Sequence, residues 1–134
     1  MRGAFALAAL LATPALGQSE LSFADIGNLF CAAITSGGLV SPAPLLTANL
    51  AALTGDRDVR WHSGDATPVR CMAVGARGSA EVPETVLFMT FPGGKTASDR
   101  LILNWVDGRL KIDDVAYDRG GTLRETLAST GAQE

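Results

Sequence analysis

Two cysteines, Cys31 and Cys71, follow an apolar leader, and this pair constrains the fold more than any other feature of the chain. Residues 1–17 read as an export signal. Arg2 supplies a positive start, Ala4 to Ala12 is an uncharged apolar run, Pro14 breaks it, and Ala15-Leu16-Gly17 sets small residues where a signal peptidase inspects them. Cleavage after Gly17 is expected, leaving residues 18–134 as a periplasmic or secreted protein. The apolar run is roughly half the ~20 residues a membrane helix needs, and no second run follows, so no membrane association is expected after cleavage. In an oxidising compartment the two cysteines are expected to form one disulfide. Closing a loop of about 40 residues, it would contribute roughly 4 kcal/mol in the chain-entropy model. There is no Cys-x-x-Cys redox pair, and two cysteines with one histidine fall short of a zinc set, so no metal and no cofactor are expected. A nucleophilic cysteine paired with His62 is the remaining alternative to a structural staple.

About 117 residues remain after cleavage, enough for one domain with a modest core. Losing Arg2 with the leader takes the net charge from −3 to −4. Lysines and arginines are scattered, which argues against nucleic acid or an anionic membrane as partner, since both need massed positive charge.

The spacing predicts two helices and then a sheet. Ser22 with Asp25 forms a capping-box pattern, and Leu21 with Ile26 a hydrophobic staple, so a helix should begin at Phe23. Phe23, Ile26, Leu29, Phe30, Ala33 and Ile34 give it one apolar face, with Cys31 beside that face and Gly37-Gly38 ending it. Ser41-Pro42 opens a second helical period running to Gly55, which Thr47 would split if it recaps the segment. Beyond a polar stretch from Asp56 to Asp65, strands are expected at Val69–Gly75, Thr85–Phe91, Arg100–Val106 and Arg109–Tyr117. Pro92-Gly93-Gly94 and Asp107-Gly108 are the turns. Thr122 with Glu125 offers a capping box for a short terminal helix. The expected fold is α+β: two N-terminal helices packed on a curved antiparallel sheet of about four strands, followed by a short C-terminal helix. The disulfide would then stitch the first helix to the first strand.

The run Asp99-Arg100-Leu101-Ile102-Leu103, then Asp107-Gly108-Arg109-Leu110-Lys111-Ile112-Asp113-Asp114-Val115, with Tyr117 and Gly121-Thr122-Leu123-Arg124, resembles the closing hairpin of small exported bacterial domains of the nuclear transport factor 2-like superfamily. Leu29-Phe30-Cys31 and Leu45-Leu46-Thr47 fit as well, so the resemblance covers most of the mature chain. Leu110 stands where that hairpin usually has a tryptophan. The resemblance implies a cone, in which a curved sheet wraps the helices around a pocket used for catalysis in some members and for partner binding in others.

With Asp107 and Gly108 as the turn, Val106 should pair with Arg109, Trp105 with Leu110, Leu103 with Ile112 and Leu101 with Asp114. One face would then hold Leu101, Leu103, Trp105, Leu110 and Ile112 together with a single charge, Asp114. Such a carboxylate is either a pocket acid or base, or a group capping a helix or pairing with an arginine. Asp113 would point to the opposite face near Lys111, as solvated charge. That outer face would also carry Ile102, Val106, Val115 and Tyr117, which suggests cover by the terminal helix or a homodimer partner.

Trp61 and His62 in the polar loop, and Arg100 and Asp114 on the hairpin strands, are the candidate binding residues, with Asp114 the one candidate catalytic group. No Gly-x-Ser-x-Gly elbow and no phosphate loop is present. The expected function is a non-enzymatic exported module that binds a small apolar ligand or a protein partner. The alternative is a small isomerase, dehydratase or hydrolase using Asp114, which the resemblance allows but which lacks a tyrosine on the first helix.

Overall fold

A computed structural model describes residues 22–133, with the side chains described through Ser129. The leader, its cleavage point and the Leu21 half of the staple lie outside the described residues. Helix α1 (Phe23–Thr35) starts where its capping box dictates: the Ser22 hydroxyl accepts from Asp25 N at 3.1 Å and the Asp25 carboxylate accepts from Ser22 N at 3.2 Å. Its buried side holds Ile26, Phe30, Ala33 and Ile34 of the expected face together with Cys31, whereas Leu29, expected on that face, is 45% exposed. Thr47 does divide the second helical segment. A single 3-10 turn (Ala43–Leu45) precedes helix α2 (Ala48–Thr54), because the Thr47 hydroxyl accepts from Leu50 N and starts a new helix.

The sheet comprises β1 (Arg70–Gly78), β2 (Pro83–Thr90), the two-residue β3 (Thr96–Ala97), β4 (Arg100–Val106) and β5 (Arg109–Ala116). It is antiparallel in the order β1-β2-β4-β5, with β3 beside β2. Helix α3 (Leu123–Gln133) closes the chain behind the expected Thr122–Glu125 capping box. Leu46 bridges to Ile112, and Thr47 N donates to Ile112 O at 2.9 Å, which covers part of the β5 edge.

Helix α1 lies across β1 and β2, and Gly27 permits the contact. A Cβ there would come within 2.7 Å of Thr85 Cγ2 and 2.8 Å of Ala73 Cβ. The Cys31–Cys71 disulfide, with a Cα–Cα distance of 5.3 Å, fastens the same helix to β1. Ile26, Phe30, Leu50, Leu87, Met89, Leu101, Leu103, Ile112, Val115 and Leu123 form the innermost core between helices and sheet. A disulfide of this kind fits maturation in an oxidising compartment. Among the described residues no helix is long and apolar enough to cross a membrane.

The hairpin corrects the expected register at one point. Val106 pairs with Arg109, Trp105 with Leu110 and Leu103 with Ile112, but Leu101 faces Val115 and Ile102 faces Asp114. Asp113 is the extra residue of a bulge. Its carboxylate accepts from the Thr47 hydroxyl at 2.9 Å and pairs with Arg124 at 2.8 Å, while its carbonyl accepts from Arg124 Nε at 2.7 Å. Asp113 is therefore a hub between β5, α2 and α3 rather than solvated charge near Lys111. Every residue after the bulge changes face: Val115 and Tyr117 enter the core and Asp114 leaves it. Trp105, expected to pack in the core, is 46% exposed at the sheet end, with its indole N–H donating to Ala80 O at 3.0 Å. The outer face keeps Ile102 and Val106 of the expected set and also carries Met72 and Phe88, but it loses Val115 and Tyr117 to the core.

Candidate functional site

The loop between α2 and β1 is built around one buried acid. Asp99, just before β4, is 1% exposed and has no cationic partner among the described residues. It is satisfied by three donors: Ser63 N at 2.7 Å, Ser63 Oγ at 2.5 Å and Asp118 N at 3.0 Å. Tyr117 adds a second fastening, its hydroxyl donating to Arg60 O at 2.6 Å. Burial is the main cause that raises the Tyr117 pKa above 10.0; the Thr126 hydroxyl and the Arg60 charge oppose that rise. Arg57 ties the loop start to α3, donating to Leu53 O and to Leu127 O. Gly64 turns the loop at φ 82°, where a Cβ would also approach the Phe91 ring to 3.0 Å.

This framework holds Trp61 and His62 at the surface. The Trp61 ring meets Phe30 edge to face at 6.4 Å, and the His62 ring lies 5.9 Å from that of Phe91. His62 Nδ1 donates to Ser63 O at 2.5 Å. A carbonyl only accepts, so Nδ1 carries a proton.

Two concavities share these side chains. One, of about 430 Å³, runs from the C-terminal end of α1 to the loop, and its lining includes Ile34, Val40, Asp56, Arg57, Trp61 and His62. The other, of about 320 Å³, lies across the loop among Asp58, Val59, Arg60, Asp65 and the same Trp61 and His62. The structure thus brings two of the four candidate binding residues together.

Arg100 and Asp114 are elsewhere and are engaged. Arg100 pairs with Glu84 at 2.7 Å on the outer sheet face. Asp114 Oδ1 accepts from Val115 N at 2.8 Å and from Arg124 N at 3.0 Å, which caps the start of α3. Asp114 lines neither concavity. Among the described residues no group of three or more His, Cys, Asp or Glu side chains could hold a metal ion. Sequence reasoning missed Asp99, Ser63 and Arg57. The one available signal was an acid set between the apolar positions Ala97 and Leu101, which alternation alone reads as a loop residue.

Compared with known proteins, the chain matches no family model, no curated protein and no solved structure.

Proposed function

We propose that this chain is an exported binding module of the nuclear transport factor 2-like type, periplasmic or secreted after loss of residues 1–17, whose ligand occupies the cleft at Trp61 and His62. The observation that carries the reading is the fastening of that wall. A buried carboxylate with three donors, and a tyrosine hydroxyl beside it, hold a loop whose two aromatic side chains stay partly open. A loop fixed before its ligand arrives loses little entropy on binding, which is the economy expected of a recognition surface. The sequence resemblance and the helix-on-sheet layout support the superfamily assignment, and the disulfide supports export. An enzymatic role through Asp114 has no support in the site, because Asp114 lines neither concavity and its Oδ1 caps the start of α3.

Chemical-shift mapping with small neutral probes (phenol, cyclohexanol and N-methylacetamide) tests the reading. The largest amide shifts are expected at Gly37 to Val40 and at Trp61 to Ser63, and a Val40→Arg substitution should abolish them. Probe shifts gathered on the outer sheet face around Met72 and Phe88, and unchanged in V40R, would refute it.

A further inference from the structure

We infer that the ligand of this cleft is a short neutral glycan of two or three sugar units, an inference that rests on the binding reading above. Three observations lead there. The first is shape: concavities of about 430 and 320 Å³ meet at the same two side chains, which suits an elongated ligand crossing Trp61 better than a compact one.

The second is charge. Arg57 donates to two backbone carbonyls and Arg60 pairs with Asp65 at 3.0 Å, and each shares its concavity with a carboxylate, so an anionic ligand meets no net positive charge among the described lining residues. The acceptors, in contrast, are open: among the described residues the Asp56 and Asp58 carboxylates carry no ion pair. They are also dispersed, with Asp56 in one concavity and Asp58 in the other. A single ammonium group needs acceptors that converge, and a polyamine chain would meet Arg57 and Arg60 in the same lining, whereas a chain of neutral hydroxyl groups matches acceptors set apart along its length. A wholly apolar ligand would strip water from these groups and return no hydrogen bond.

The third is the platform. Trp61 packs against Phe30 in a T-shaped contact and lines both concavities, so part of its ring system is an aromatic wall of each. The C–H faces of a pyranose ring pack on such a wall by dispersion and weak C–H contacts while its hydroxyls reach outward.

The test uses a Trp105→Phe protein, in which Trp61 is the sole tryptophan. Maltotriose, cellotriose and triacetylchitotriose are titrated, with trigalacturonate and spermidine as charged controls, reading Trp61 emission and amide shifts. At least one neutral trisaccharide should saturate with shifts in both concavities, and Asp56→Asn and Asp58→Asn should each weaken it threefold or more. Trp61→Ala should weaken it at least tenfold; the two carboxamide variants, both at exposed positions, keep the test valid should W61A unfold. Preference for spermidine or trigalacturonate over all three sugars overturns the glycan inference. Silence to every trisaccharide, with phenol and cyclohexanol still mapping to the cleft, overturns it while the binding reading stands; silence to all probes removes both.

Discussion

Asp99→Ala is the substitution that most directly challenges this account of the loop. Removing the carboxylate leaves Ser63 N and Ser63 Oγ without their acceptor, whereas Asp118 N retains a second one, Ser63 Oγ at 3.2 Å. Two lost charge-assisted hydrogen bonds at about 1.5–3 kcal/mol each sum to roughly 3–6 kcal/mol, and the relief of no longer burying a carboxylate trims the upper end to about 5 kcal/mol. For about 117 residues the unfolding entropy corresponds to about 4 °C per kcal/mol, so the melting temperature should fall by roughly 12–20 °C. Asp99→Asn should be milder, about 1–2 kcal/mol. The Ser63 hydroxyl can reverse and accept from the new amide N–H while the remaining oxygen serves Ser63 N. Thermal melts by circular dichroism give the stability, and hydrogen exchange of the Ser63 and Asp118 amides gives the location. A D99A protein melting within about 4 °C of the parent, or one whose Ser63 amide stays protected, would refute the role assigned to Asp99.

Gly27→Val should cost roughly 2–3 kcal/mol by forcing α1 off Thr85 and Ala73, and a variant as stable as the parent in denaturant melts would show that the helix does not sit that close. Asp114→Ala should cost about 1 kcal/mol, the usual worth of a helix cap, with faster amide exchange confined to the first turn of α3; exchange unchanged there would contradict the cap. Tyr117 is the only tyrosine, so an ultraviolet absorbance titration reads it directly and should place its midpoint above 10.0. Because the folded value is the raised one, its contribution to stability is full below pH 10.0 and is lost as pH climbs from there through the folded value. A midpoint at or below 10.0 would mean the ring is not buried as described.

How far the sequence reached depended on how far apart the deciding partners are. The start of α1 was legible because Ser22 and Asp25 satisfy each other three positions apart. The hairpin was legible from its turn as far as Leu103 and Ile112, since a two-residue turn sets the register of the nearest pairs. It failed at Asp113, where Thr47, 66 positions away, and Arg124, 11 away, hold the extra residue. Strict alternation admits no such insertion, and one inserted residue reverses the facing of all that follow. The core gains from the reversal: alternation would have put a carboxylate opposite Leu101, and the bulge puts Val115 there instead.

The bulge also decides where recognition is able to occur. Without it Asp114 would stand on the apolar face as the natural candidate for pocket chemistry, and Tyr117 would point away from the core. With it, Asp114 becomes a cap for α3, and Tyr117 turns inward to reach Arg60 O at the base of the Trp61 loop. The acid that ends up fully buried is Asp99, and all three of its donors belong to loop residues. One inserted residue in β5 thus removes a carboxylate from the core and supplies a hydroxyl that helps fix the cleft wall. Trp61 and His62 stood out in the sequence by composition alone; their placement follows from Asp99 and Tyr117, whose partners lie 36 and 57 positions away and leave no local pattern to read.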